Sequence, residues 1–170
     1  MLSSPPVPPI NVEKSYRRLL NHLPGMAYRC RVLNIDAPES DYLQYELEFV
    51  SRGSYELLGV PAEDMVLDHH NTIELMTHPD DLGPSRKAIR DSIVAHEPYQ
   101  VMYRLLLPSG RVKWLWDQGE GVYDDTGVLR YLEGLIMDVS EQKFQEMALR
   151  EENRELRTSV INLYGLGNIV

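Results

Sequence analysis

The side chains that could do chemistry in this sequence are scattered and form no recognised catalytic or metal-binding motif. His69 and His70 are adjacent, so their side chains diverge on any regular element, and we interpret them as part of a turn. Cys30 is the single cysteine, and one thiol can form neither an internal disulfide nor a thiolate metal site. Gly165 and Gly167 follow a predicted helix, whereas a phosphate-binding loop joins a strand to a helix. We therefore predict no catalytic residues, no metal site and no enzymatic activity.

The composition is that of one acidic globular domain. Of the 170 residues, 43% are hydrophobic, which is enough to bury a single core. The net charge of -9 disfavours contact with nucleic acid or with an anionic membrane. Apolar runs are far shorter than the roughly 20 residues that span a bilayer, and the proline-rich lead, residues 1–10, lacks the pattern of a secretory signal. Together with the lone cysteine, these features favour a cytoplasmic location.

Trp114 and Trp116 lie on one face of a predicted strand. In a nucleic-acid binder such rings stack on bases beside basic residues, but here the neighbours include Asp117, Glu120 and Asp124. We interpret the tryptophans as core or inter-subunit packing residues and expect no direct contact with nucleic acid.

Hydrophobic periodicity predicts an α+β domain with a sheet at its centre. An amphipathic helix is expected over 11–23, ending at Pro24 and Gly25. Residues 24–139 then contain two strands, a block of short helices and three more strands. Tight reversals rich in proline, glycine and aspartate join the last three strands, which predicts an antiparallel meander. The expected fold is a five-stranded antiparallel sheet with the short helices on one side.

Five short motifs occur in order along this predicted domain. They are Pro24-Gly25, Leu57-Leu58-Gly59, His78-Pro79-Asp80-Asp81, the run from Tyr103-Arg104 through Ser109-Gly110-Arg111 to Trp114, and Asp138-Val139-Ser140-Glu141-Gln142-Lys143. Together they resemble the PAS domains of the subclass with a C-terminal PAC motif, whose closing phrase is Asp-Ile-Thr-Glu-Arg-Lys. The resemblance covers roughly 23–143 and implies a sheet curved around a pocket that the short helices close.

The resemblance also bears on cofactors. Haem-binding members carry their axial histidine in the long helix before the third strand, whereas here 81–95 holds none and His96 lies just beyond it. Photosensory flavin members need a cysteine inside the helical block. Cys30 lies instead on the first strand, where we interpret it as a small core residue. We therefore expect neither haem nor flavin.

The implied pocket would be lined by side chains on the inward faces of the predicted elements. The candidates are Tyr28, Ile89, Ile93, Tyr103, Leu105 and Ile136. A ligand held there is expected to be a small apolar or aromatic molecule contacted by tyrosine hydroxyls, and a charged ligand has no obvious partner. The same residue types also build a filled core, so the alternative is a domain without a ligand.

The segment after the sheet, 140–164, predicts a long signalling helix, because it lacks proline and glycine and is rich in good helix formers. Leucines recur every seven residues, and a second series lies four residues after them, as in the d and a positions of a coiled coil. The repeat consists of Leu149, Asn153, Leu156, Val160 and Leu163. We predict that this helix pairs two copies of the chain in a homodimer. The alternative is an amphipathic helix packed on its own sheet.

Asp138 and Ser140 lie where the last predicted strand ends and this helix begins, and a serine hydroxyl there can cap the new helix. We expect these two residues to relay a signal from the sheet to the helix.

The end of the chain resembles the junction at which the linker helix of a sigma-54-dependent transcription activator meets its AAA+ ATPase. The residues that carry this resemblance are 152–157 and 164–170, and 165–170 would begin that output domain. The resemblance implies the N-terminal sensory domain of such an activator, with a role in transcription regulation. The alternatives are the input domain of a sensor histidine kinase or diguanylate cyclase, and a ligand-free dimerisation scaffold.

Overall fold

The computed structural model describes residues 12–33, 44–67 and 72–165. In chain order the elements are α1 (Val12–Leu20), β1 (Met26–Val32), β2 (Tyr45–Val50), α2 (Gly53–Leu58), α3 (Ala62–Leu67), α4 (Thr72–Met76), α5 (Pro79–Ala95), β3 (Tyr99–Leu106), β4 (Val112–Tyr123), β5 (Leu129–Asp138) and α6 (Ser140–Gly165). The strands form one five-stranded sheet in the order β2-β1-β5-β4-β3, and every pairing is antiparallel. The predicted α+β fold is confirmed.

Strand β3 illustrates how the alternating sequence builds the core. Tyr99, Val101, Tyr103 and Leu105 are buried, whereas the residues between them are exposed or half-buried. Since successive side chains of a strand point to opposite faces, one face of the sheet is apolar. The helical block covers that face, and its buried contributions to the core are Leu57, Leu58, Met65 and Ile93.

Helix α5 is fastened to β3 at its first turn. The ring Nδ1 of His78 caps the helix by accepting a hydrogen bond from the backbone N–H of Asp80 at 3.2 Å. The carboxylate of Asp81 binds Arg104 on β3. It accepts hydrogen bonds from the Arg104 Nε at 2.8 Å, Nη2 at 2.7 Å and backbone N–H at 2.8 Å. The contact fixes α5 across the core face of the sheet.

The N-terminal helix is shorter than the predicted 11–23, since α1 ends at Leu20. The guanidinium of Arg17 lies 5.2 Å from the centre of the Phe49 ring. Much of the apolar face that predicted the helix remains exposed, including Tyr16 and Leu19. Residues 1–10 and the expected cap Asn11 lie outside the described residues.

Helix α6 leaves the sheet directly after β5 and runs to Gly165. Its start contacts β4, where Nζ of Lys143 lies 5.9 Å from the centre of the Trp114 ring. Trp114 and Trp116 are half-buried, on the face of the sheet opposite to the core. No helix in the described ranges is both long and apolar enough to cross a membrane.

Candidate functional site

A row of two tyrosines and two glycines crosses four strands on the core face of the sheet. By register, Tyr28 on β1 pairs with Gly134 on β5, Gly134 with Gly119 on β4, and Gly119 with Tyr99 on β3. The two rings reach toward each other over the glycines, and their hydroxyls form a hydrogen bond. A Cβ on Gly134 would lie 2.5 Å from the Tyr28 hydroxyl oxygen, and one on Gly119 would lie 2.5 Å from that of Tyr99. Only glycine at both positions leaves room for this arrangement.

Asp117 occupies the next inward position of β4 and is 6% exposed. Its Oδ1 accepts a hydrogen bond from the Tyr28 hydroxyl at 2.9 Å, and the Tyr103 hydroxyl also donates to it. Burial raises the pKa of Asp117 to about 7, although these two hydrogen bonds oppose the rise. The carboxyl group therefore changes charge near neutral pH.

The tyrosines around Asp117 remain hydrogen-bond donors across the physiological range. Burial is the main cause that raises the pKa of Tyr28, Tyr99 and Tyr103 well above the usual value, and the negative charge of Asp117 adds to it. A buried carboxyl group surrounded by hydroxyl donors is the polar centre of this side of the core.

A cavity of about 80 Å³ opens beside Asp117, between the sheet and helices α4 and α5. Four of the six sequence-predicted lining residues are brought together there: Tyr28, Ile89, Tyr103 and Ile136. Ile93 and Leu105 do not line the cavity, although they are almost fully buried, at 3% and 0% exposed. Both pack in the core instead.

An ion pair between Arg86 and Glu74 lines the cavity on the side of the helices. Arg86 on α5 donates to both carboxylate oxygens of Glu74 on α4, with Nε at 3.0 Å from Oε1 and Nη2 at 2.6 Å from Oε2. Less than a fifth of either side chain is exposed, at 19% for Arg86 and 13% for Glu74. This bidentate pair joins the two helices that close the cavity.

Sequence reasoning missed Asp117 as a pocket residue. The tryptophans suggested the packing face of β4, but Trp114 and Trp116 lie on the outer face, while Leu115 and Asp117 point into the core. The alternation of side chains along a strand was the signal that could have found it. Asp117 is two residues after Leu115, so both side chains lie on the same face of β4. The pocket therefore contains an acidic partner for a ligand, which the apolar lining predicted from sequence did not include.

Cys30 lies on β1 and is 3% exposed, as expected of a core residue. Burial raises the pKa of its thiol to about 12, with the charge of Asp117 adding to the rise. The thiol is therefore neutral, and the thiolate that would act as a nucleophile or metal ligand is not populated.

The histidines that the structure describes show no metal-binding arrangement. The ring of His96 stacks on Tyr123 with centroids 4.0 Å apart, at the C-terminal end of α5. Across the described residues, no three histidine, cysteine or acidic side chains are grouped to hold a metal ion. His69 and His70 lie outside the described residues.

Asp138 and Ser140 form a hydrogen-bonded joint between β5, β4 and α6. Oδ1 of Asp138 accepts from the backbone N–H of Ser140 at 3.0 Å and from its hydroxyl at 2.5 Å. Oγ of Ser140 in turn accepts from the backbone N–H of Trp114 at 2.9 Å. The expectation that the serine hydroxyl caps the helix is wrong: the Asp138 carboxylate binds the first helical N–H, because the hydroxyl is engaged with β4.

Lys113 completes this joint, with its Nζ 3.2 Å from Oδ2 of Asp138. Burial acts to raise the pKa of Asp138, but hydrogen bonds from Ser140 and Lys113 outweigh it, so the pKa is lowered. The carboxyl group is therefore ionised at neutral pH and remains an acceptor for the helix N-terminus.

The repeat on α6 does not pack against its own sheet where side chains are described. Leu149 and Leu156 are 71% and 60% exposed, and Asn153 and Val160 are exposed as well. The side chain of Leu163 lies outside the described residues. Pairing of two such helices stays a prediction.

The sequence profile of the PAS fold matches residues 47–136. No curated protein matches the chain significantly.

Among solved structures, an RNA-binding light-oxygen-voltage receptor superposes with a TM-score of 0.64 at 17% identity, over 89% of this chain and 40% of that one. A sensory box histidine kinase/response regulator from Burkholderia thailandensis gives 0.58 at 23%, over 86% and 98%. The N-terminal domain of a diguanylate cyclase with a PAS/PAC sensor from Marinobacter aquaeolei gives 0.56 at 18%, over 70% and 98%. At these identities the likeness establishes the fold alone, and the chain spans less than half of the receptor.

Proposed function

The chain belongs to the PAS fold family, and from this premise we propose that it is a sensory domain that dimerises through α6 and relays a signal to an attached output domain. The observation that carries the proposal is the position of the cavity relative to α6. Asp117 in the cavity wall and Trp114 at the helix joint lie three residues apart on β4. A change at the cavity therefore has a short, rigid path to the helix.

The relay uses the pairing of β4 with β5. Asp117 lies opposite Ile136, and Leu115 lies opposite Asp138. Two residues along a strand span only about 7 Å. A ligand that shifts Asp117 or Ile136 strains the same strand pair that holds Asp138 and Ser140 at the start of α6. Such a ligand changes the helix only by binding one arrangement of the domain more tightly than the other.

The exposed repeat on α6 supports pairing of two chains. Leu149 and Leu156 fit d positions and Asn153 and Val160 fit a positions. Leaving the two leucines and the valine in water is unfavourable. An asparagine at an a position favours parallel pairing in register, because the two amides can bond each other across the seam. The relay would then act on the spacing or rotation of two output domains.

For the output domain we propose a sigma-54-activating AAA+ ATPase in transcription regulation, which the residues of 152–157 and 164–170 support by resemblance. A second candidate is a histidine kinase or a diguanylate cyclase, since similar structures carry those names. The gene sequence after codon 170 separates them: a Gly-Lys-Ser/Thr loop supports the ATPase, and a His-Glu phosphoacceptor helix supports the kinase.

Some similar structures are named as light-oxygen-voltage proteins, whereas the cavity of this chain does not match a flavin in size. Ligand pockets for molecules of that size measure roughly 300–1,000 Å³, whereas this cavity measures about 80 Å³. The only cysteine, Cys30, is a neutral buried thiol on β1. This cavity is too small for a flavin or a haem, and we propose a domain without either. The free thiol agrees with the proposed cytoplasmic location.

Cysteine cross-linking tests the paired helix. In a parallel coiled coil the side chains at an a position face each other across the seam, whereas those at the outer f position point apart. We expect Asn153→Cys to form a disulfide-linked dimer on mild oxidation. Thr158→Cys, five residues along the same exposed helix, should form no covalent dimer under the same conditions. The native Cys30 is buried and does not compete. Equal cross-linking at both positions, or none at either, contradicts the proposed pairing.

A further inference from the structure

We propose that the cavity beside Asp117 binds a small organic cation, of the size of an alkylated ammonium ion, with the Asp117 carboxylate as counter-ion and tyrosine rings as walls. This inference rests on the proposed sensory function and names the ligand class of that same site.

Asp117 is 6% exposed and its described partners are hydroxyl groups, which share a negative charge but do not neutralise it. An ionised carboxylate buried without a cation is costly, because the protein interior solvates charge poorly. Among the described residues, no cationic side chain is one of the groups that act on its ionisation. A cation in the cavity would supply the missing charge.

Ionisable side chains from three strands and two helices line the cavity around Asp117. They are Tyr28 and Cys30 on β1, Tyr45 on β2, Glu74 on α4, Arg86 on α5, and Tyr99 and Tyr103 on β3. Arg86 is bound to both oxygens of Glu74, so that pair adds little net charge to the cavity. The remaining groups are neutral hydroxyls and a neutral thiol. The ionised Asp117 carboxylate therefore supplies the net negative charge of the cavity lining.

Four tyrosines line the cavity: Tyr28, Tyr45, Tyr99 and Tyr103. Aromatic rings attract cations through their negative faces, by about 2 kcal/mol or more once water is removed, and cages of aromatic side chains recognise alkylated ammonium groups. An anion of the same size would be repelled by the Asp117 carboxylate.

The size of the cavity limits the cation. Its volume of about 80 Å³ is roughly half that of an apolar cavity of about 150 Å³ that accepts benzene. It therefore suits a cation clearly smaller than benzene, such as methylammonium or guanidinium.

Binding of methylammonium to the wild-type chain tests the proposal without a variant. At about pH 8, where Asp117 is ionised, we expect saturable shifts in the NMR spectrum at the amides of Gly119 and Gly134, which lie beneath Tyr99 and Tyr28. Methanol has a similar shape without the charge, and we expect it to bind at least about tenfold more weakly, because it gains no ion pair. Formate, a small anion, should not bind. Equal affinity for the alcohol, or no site-specific shift with the cation, overturns the proposal.

Two variants assign the site. Asp117→Asn keeps the shape but removes the charge, and we expect it to weaken methylammonium binding about tenfold or more. The control is Glu120→Gln, which removes an exposed acid from the same strand and should leave the affinity unchanged. Equal weakening by both variants means that the cation responds to overall charge, which overturns the assignment. These measurements do not depend on dimerisation, so their failure is distinguishable from failure of helix cross-linking.

Discussion

The hydroxyl of Tyr28 on β1 lies 2.9 Å from Oδ1 of Asp117 on β4, although strand β5 runs between them. The bond is made over the sheet surface and not along a strand pair. It exists because Gly134, the β5 residue opposite Tyr28, has no side chain to hold the ring away from the sheet.

Replacing Gly134 with alanine tests this arrangement. The new Cβ would lie 2.5 Å from the Tyr28 hydroxyl oxygen and 2.6 Å from the carbonyl oxygen of Gln118. Because the backbone oxygen cannot move as a side chain can, we expect a loss of about 1–3 kcal/mol in the free energy of unfolding, measured in urea.

Gly83→Ala is the matched control, since Gly83 lies in helix α5 with nothing within 4 Å of its Cβ position. Alanine there should leave the free energy of unfolding unchanged or raise it by up to about 1 kcal/mol. Similar losses at both positions would contradict the role assigned to Gly134.

The pH dependence of stability should reveal Asp117. Its pKa is raised by burial from 3.8 to about 7 in the folded chain. A carboxyl group with a raised pKa favours the folded state while protonated, so its contribution is complete below about pH 4 and is lost as the pH rises to about 7. A shift of about three units corresponds to ~4 kcal/mol.

Urea unfolding between about pH 4 and pH 8 measures this loss. We expect stability to fall over that range in the wild type and to change much less in Asp117→Asn, which has no proton to release. The carboxyl groups of Asp81 and Asp124 have lowered pKa values, so their effects fall at lower pH. An unchanged slope in the variant would show that another group titrates.

The joint at the start of α6 can be tested by removing its acceptor. Asp138→Ala leaves the backbone N–H of Ser140 without the carboxylate that accepts it at 3.0 Å. Loss of a helix cap costs about 0.5–2 kcal/mol, and here the loss should be local. We expect faster amide hydrogen exchange in the first turn of α6, at Ser140 to Lys143, with little change in β3.

Asp125→Ala is the control for this experiment, because Asp125 is an exposed acid in the turn between β4 and β5. Its removal should leave exchange in α6 as in the wild type. If Asp138→Ala also leaves the first turn as protected as before, Asp138 does not hold the helix, and the proposed relay loses its joint.

Local sequence patterns were sufficient for much of the architecture. The reversals around Gly110 and Gly127 predicted the meander of the last three strands, because tight turns between alternating segments leave few pairings open. The break-free segment after Ser140 predicted α6 in the same way. Lining residues such as Tyr103 and Ile136 followed from strand parity, since inward positions recur every second residue.

The centre of the site was decided by tertiary structure. Sequence shows that Trp114 and Trp116 share one face of β4 and Leu115 and Asp117 the other, but both faces carry apolar residues, so periodicity alone does not say which is buried. The cross-strand register then brings Tyr28 to Asp117, 89 residues away. The sequence by itself determined the sheet, its turns and its terminal helix, because those depend on neighbouring residues. The buried carboxyl group and its tyrosines exist only once four strands are in register, because no local pattern encodes which side chains meet across a sheet.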